Sequence, residues 1–64
     1  MAPLCYRVWM RDGRSITCLV LTACEARDAA VRLAIKDAAR RDLSAREWRN
    51  ACTVARVEEA DYAP

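Results

Sequence analysis

The sequence contains no histidine, which removes the commonest general base and the imidazole metal ligand from its chemistry. Ser-His and Cys-His nucleophile pairs therefore cannot be built within this chain. It also has no Cys-x-x-Cys pair, the spacing typical of zinc and redox sites. The cysteines are Cys5, Cys18, Cys24 and Cys52. We interpret them as small buried apolar residues, with a four-thiolate site as the alternative, and we expect no enzyme activity and no cofactor.

Long apolar runs are missing as well, and none approaches the ~20 residues that a membrane-spanning helix needs. The residues before Cys5 lack the charged and apolar segments of a signal peptide. We therefore expect a protein in the cytoplasm of a bacterial host, with reduced thiols and no membrane partner. With 55% hydrophobic and 31% charged residues, but only one glycine and two prolines, the chain is predicted to fold as one small domain over residues 1–64. The net charge of +2 is too small for a protein that wraps nucleic acid.

Two strands and a tight turn are predicted near the beginning of the chain, over residues 4–11 and 15–22. Asp12-Gly13 between them is a strong hairpin signal. A three-residue loop, with Gly13 left-handed at a bulge, pairs Val8 with Ile16 and collects the apolar side chains on one face. A two-residue loop would mix polar and apolar residues on both faces, so we predict the longer loop. The other face of the first strand then carries Cys5, Arg7, Trp9 and Arg11.

A helix is predicted over residues 23–41. Thr22 and Glu25 have the spacing of a capping box, and the segment that follows is rich in alanine with no glycine or proline. The helical period places an apolar arc on one side of this helix. The predicted arc contains Ala23, Cys24, Ala30, Val31, Ala34, Ile35 and Ala38.

The last third of the chain is ambiguous. Ser44 and Glu47 repeat the capping-box spacing and allow one turn of helix before Trp48. Residues 51–58 favour a third strand, although Trp48, Ala51 and Cys52 also match helical spacing. A loose tail is predicted over residues 60–64.

Strand, strand, helix, strand is an α+β pattern, abbreviated ββαβ. It predicts a three-stranded antiparallel sheet in the order 2-1-3 with one helix packed on one face. The face that carries Arg7, Trp9 and Arg11 on the central strand is expected to stay open. An exposed tryptophan among arginines is the composition of a binding hot spot. The alternative is a structural tryptophan, with Trp9 covered by the segment around Trp48 or by the tail.

Three further groups of residues could contact a partner. Each also has a simpler interpretation: a solvated helix face, a lid on the core, or charges that only aid solubility. The groups are a basic row on the helix (Arg32, Lys36, Arg40), a second aromatic residue (Trp48), and an acidic patch (Glu58, Glu59, Asp61).

The hairpin Tyr6-Arg7-Val8-Trp9-Met10-Arg11-Asp12-Gly13, the Ala-rich helix from Cys24 to Arg41 and the closing strand from Thr53 to Glu59 resemble the small strand-strand-helix-strand proteins of phages and mobile elements. Anti-CRISPR proteins are a group of similar size and element order among these. The resemblance implies a non-enzymatic inhibitor that binds a host protein or nucleoprotein complex and occludes a surface of a CRISPR effector complex. The alternatives are an RNA- or DNA-binding module that uses the open sheet, and a dimeric structural or adaptor protein.

Overall fold

A computed structural model describes residues 2–60 of the chain. The elements, in chain order, are β1 (Leu4–Met10), β2 (Ser15–Val20), α1 (Ala23–Ala39), α2 (Ala45–Cys52) and β3 (Val54–Glu59). The strands form an antiparallel sheet in the order β2-β1-β3, which confirms the predicted α+β topology. The predicted tail and Asp61 of the acidic patch fall on residues 61–64, outside the described residues.

The β1–β2 hairpin has the predicted register, with Val8 opposite Ile16. Its loop is closed by the N–H of Gly13, which donates to the carbonyl of Met10 at 3.1 Å. Gly13 has a φ of +92°, a left-handed conformation that costs a residue with a side chain about 1–2 kcal/mol. The only glycine in the sequence therefore sits where the bulged turn requires it.

Helix α1 begins at the predicted cap, where Oγ1 of Thr22 accepts from the N–H of Glu25 at 3.2 Å. It packs on the sheet through a stripe of alanines spaced four residues apart. These alanines are Ala26, Ala30, Ala34 and Ala38. The short side chains allow the helix to lie close to Val8, which is fully buried.

The apolar arc predicted for α1 was partly wrong, because Ala23, Cys24 and Ile35 are exposed while Ala26 is buried. Alanines occur all around this helix, so the pattern does not fix which side faces the sheet. The buried stripe is displaced round the helix from the predicted arc, so Ile35, at the far edge of that arc, points away from the sheet and is 45% exposed.

The prediction of one helix was also wrong, since α2 is a second helix of eight residues. Its capping box is complete: the N–H of Ser44 donates to Oε1 of Glu47 at 3.0 Å, and the N–H of Glu47 donates to Oγ of Ser44 at 3.2 Å. The helix extends beyond one turn because it packs against α1 and buries Ala51. The third strand therefore begins at Val54, not at residue 51 as predicted.

Strand β3 returns along β1, with Trp9 opposite Arg56 and Arg7 opposite Glu58. The register shifts between Trp9 and Met10, where a β-bulge interrupts the pairing. Neither of the helices formed by residues 2–60 has the length and the apolar character that crossing a membrane requires.

Candidate functional site: the open face of the sheet

Side chains along a strand alternate between the two faces of a sheet, and both helices of residues 2–60 lie on the same face. Helix α1 packs over Val8 and Cys18. Ala51 of α2 lines a pocket together with Met10 and Ile16, which belong to the face covered by α1. The opposite side, which we call the open face, is covered by neither helix. Its side chains are Cys5, Arg7, Trp9, Ser15, Thr17, Leu19, Arg56 and Glu58.

Trp9 lies on the central strand of the open face and is half-buried by its neighbours on that face. Its Nε1–H donates to Oε1 of Glu58 at 2.9 Å. The guanidinium carbon of Arg56 lies 5.1 Å from the centroid of the indole ring, within cation–π range. Nε of Arg56 is 3.7 Å from Oε2 of Glu58, so the three side chains form a closed group. This arrangement fixes the plane of the indole ring on the surface.

The alternative prediction was that the segment around Trp48 covers Trp9. Within residues 2–60 this prediction is wrong. Trp48 belongs to α2, which packs against α1 on the other side of the sheet. Among the described residues, Arg56 and Glu58 contact the indole ring of Trp9. The prediction that the tail covers Trp9 involves residues 61–64, which lie outside the described residues.

The remainder of the open face changes from charged to apolar along the strands. Arg7 is exposed and lies between Thr17 on β2 and Glu58 on β3. Further along, Cys5 is buried at 6% exposure and faces Leu19, which is 52% exposed. The face therefore offers guanidinium, indole and hydroxyl groups at one end and an exposed leucine at the other.

The structure brings together Arg7, Trp9 and Glu58 among the predicted site residues and leaves the others apart from them. Arg11 is exposed in the hairpin loop, and its N–H donates to the carbonyl of Thr53 at 2.9 Å. The rest lie elsewhere: the basic row on α1 (Arg32, Lys36, Arg40), the α2 residue Trp48 and the β3 residue Glu59, which alternates to the face opposite Glu58.

Arg56 belongs to the site, although it was not among the residues predicted from the sequence. Its guanidinium lies over Trp9 because β3 pairs with β1 in a register that places the two residues opposite each other. The spacing of Arg56 and Glu58 in the predicted third strand was the available signal, since residues two apart in a strand lie on one face.

The titratable groups with shifted pKa values lie away from the open face. Burial raises the pKa of the Cys18 thiol, and its Sγ donates to the carbonyl of Ala26 at 3.9 Å beneath α1. A thiol held protonated under a helix is a poor nucleophile. Residues 2–60 contain no group of three or more Cys, Asp or Glu side chains arranged to hold a metal ion.

No family model matches this chain, and neither a curated protein nor a solved structure is significantly similar to it. Its function therefore has to be argued from the chemistry of its own surface.

Proposed function

We propose that the protein is a non-enzymatic protein-binding module and that its contact surface is the open face. The observation that carries this proposal is the group formed by Trp9, Arg56 and Glu58, which holds an indole ring and a guanidinium in fixed positions on the sheet face that neither helix covers. Tryptophan and arginine are the residues most enriched in protein–protein hot spots. Side chains that are ordered before binding lose less conformational entropy when a partner docks.

The composition of the open face favours a protein partner over a nucleic acid. Sheet surfaces that read single strands stack bases on free aromatic rings and follow the backbone with positive charge. Here Arg56 already lies over Trp9, and the carboxylate of Glu58 sits between the two arginines of the face. The carboxylate offsets one of the two arginine charges, so the face attracts phosphates less than a purely basic surface would.

The narrower prediction is a phage-encoded inhibitor that occludes a CRISPR effector complex. It rests on the resemblance in size and element order, and the open face is compatible with it because occlusion needs only a rigid surface with two or three anchoring side chains. Purified CRISPR effector complexes are therefore the first candidate partners to test.

The experiment measures binding of candidate complexes to the immobilised protein and to two charge-reversal variants, Arg7→Glu and Arg32→Glu. Both positions are exposed arginines, but Arg7 lies on the open face and Arg32 on α1. We expect Arg7→Glu to weaken binding by about tenfold or more and Arg32→Glu to change it by less than about threefold. Loss of binding in Arg32→Glu with retention in Arg7→Glu would move the site to the helix face.

Two other outcomes would replace the proposal. Binding of labelled single-stranded RNA with a steep salt dependence, without capture of any protein, would support the nucleic-acid alternative. Turnover of a substrate that is abolished by mutation of one cysteine would show that the protein is an enzyme.

A further inference from the structure

The backbone of β1 alternates its hydrogen bonds between its two neighbours. The N–H of Met10 donates to the carbonyl of Arg14, on the β2 side, at 2.8 Å. The N–H of the next residue, Arg11, donates to the carbonyl of Thr53, on the β3 side, at 2.9 Å. Even-numbered residues of β1 therefore bond to β2 and odd-numbered residues bond to β3.

This alternation identifies the backbone groups of β2 that point away from the sheet. Ile16 is opposite Val8 and Cys18 is opposite Tyr6, so the N–H and C=O groups of Ile16 and Cys18 bond to β1. The intervening residues direct theirs to the outer edge, where no strand formed by residues 2–60 pairs with them. These residues are Ser15, Thr17 and Leu19.

The two edges of the sheet differ in how they are protected. Proteins guard edge strands against pairing with other chains by charged side chains, proline or β-bulges. Strand β3 carries Arg56, Glu58 and Glu59 and pairs with β1 through a bulged register. Strand β2, with the sequence SITCLV, has no charged residue and no proline, and its pairs with β1 run without interruption. The β2 edge is therefore the unguarded one.

Exposed leucines flank the β2 edge on both sides of the sheet. On the helix side, Leu33 of α1 is 50% exposed and lines a pocket of about 230 Å³ together with Ile16 and the charged residues Asp12, Arg14 and Asp37. On the other side, Leu19 and the residue after the strand, Leu21, are 52% and 46% exposed. An added strand would cover apolar surface as well as satisfy the free backbone groups.

We propose that two copies of this chain pair antiparallel through β2 and form one continuous six-stranded sheet. The strand carries no charge that would select a partner of opposite charge, and no like charges meet within β2 when it pairs with its own copy. The open faces of the two copies lie on the same side of the six-stranded sheet. In the two registers that pair the most residues of β2, Thr17 or Cys18 therefore lies opposite its own copy on the twofold axis. In these two registers Leu19 of each copy lies opposite Ser15 or Thr17 of the other copy, so the added strand covers part of its exposed side chain.

Dimer formation enlarges the binding surface but does not depend on the function proposed above. One open face of three strands spaced about 4.8 Å apart and about 20 Å long covers only about 300 Å². Side-by-side pairing through β2 places two open faces, each with a Trp9 group, in one surface.

The test is the molar mass in solution, measured by analytical ultracentrifugation over a range of concentrations. The expected mass at high concentration is twice the 7.2 kDa of one chain. Leu33→Glu places a charge beside the β2 edge, and Ile35→Glu is its matched control. Ile35 is 45% exposed on the same helix but lies about 200° further round it. We expect Leu33→Glu to raise the dimer dissociation constant by about tenfold or more and Ile35→Glu to change it by less than about threefold.

Amide hydrogen exchange gives a second readout that identifies the strand. The amides of Thr17 and Leu19 face the outer edge, so they should exchange slowly in the dimer and rapidly on dilution, whereas Ile16 should stay protected at every concentration. Thr17→Pro removes a backbone N–H that is not bonded to β1 but would pair with the second copy. The variant should therefore fold and remain a monomer. A monomer mass at all concentrations up to about the millimolar range, or equal effects of the two glutamate variants, would overturn the proposal.

Discussion

Trp9 and Glu58 lie on adjacent strands and are joined by a hydrogen bond of 2.9 Å from the indole Nε1–H to the carboxylate Oε1, across 49 residues of sequence. The same carboxylate is 3.7 Å from Nε of Arg56, which lies over the indole ring. Glu58 therefore orients both of the residues that give the open face its hot-spot character. A change at Glu58 should affect partner binding through the positions of Trp9 and Arg56.

Replacement of Glu58 by alanine tests this arrangement in the free protein. We expect Glu58→Ala to lower the free energy of unfolding by about 0.5–1.5 kcal/mol, because the indole N–H loses its acceptor and Arg56 its ion pair. Glu59→Ala is the control, since Glu59 is exposed and alternates to the other face, and should change stability by less than about 0.5 kcal/mol. Urea unfolding curves measure both. Equal effects of the two substitutions would contradict the role given to Glu58.

Enlargement of the alanine stripe should lift α1 from the sheet. Ala30 has no exposed surface, so Ala30→Leu is expected to cost about 1–3 kcal/mol by overpacking. Ala39→Leu adds the same side chain at an exposed position of α1 and should cost less than about 0.5 kcal/mol. Thermal or urea unfolding distinguishes the two. If Ala30→Leu were as stable as Ala39→Leu, the close approach of helix and sheet would be wrong.

The capping box of α2 predicts that the stability of the folded protein decreases at acidic pH. The backbone N–H of Ser44 and, next, its hydroxyl lower the pKa of Glu47 below its usual value. A carboxyl whose pKa is lower in the folded state contributes stability that is fully present above its unfolded pKa. That contribution is lost as the pH falls through the lowered folded pKa.

An NMR titration of the Glu47 side chain measures this effect. Ser44→Ala keeps the backbone N–H, so it should raise the pKa of Glu47 only part of the way to its usual value, and it should destabilise α2 by about 1 kcal/mol through loss of the cap. Glu47→Gln should make the amide shifts of α2 independent of pH in the same range. An unshifted pKa of Glu47 in the unmodified protein would show that the capping box does not form in solution.

Local signals in the sequence are sufficient to predict the β1–β2 hairpin. The alternation of residues 4–11 and the glycine at position 13 specify both the loop length and the register, since a slip of one residue would exchange the two faces. The position of Trp9 on the face opposite the helix follows from the same pattern. Arg7 and Trp9 can therefore be placed on the face opposite the helices from the strand alternation alone.

Tertiary contacts decide what the sequence leaves open. The sequence predicts only a single turn for α2, because a capping box marks where a helix starts but not where it ends, and the extension depends on packing against α1. The neighbours of Trp9 on β3 depend on the register of β3, which follows from where α2 stops. The pairing of Arg56 with Trp9 is therefore set by a register that no local pattern specifies.

Photo-crosslinking, with a partner found by the binding assay, shows which side of the sheet the partner contacts. A benzophenone amino acid is placed at Ser15, which is exposed and opposite Trp9, or at Lys36, which is exposed on α1. Mass spectrometry identifies the crosslinked species and separates partner crosslinks from crosslinks between two copies of the chain. We predict that the partner is crosslinked from Ser15 and not from Lys36. Efficient crosslinking of the partner from Lys36 alone would refute binding through the open face, because contact would then be made by the helix side.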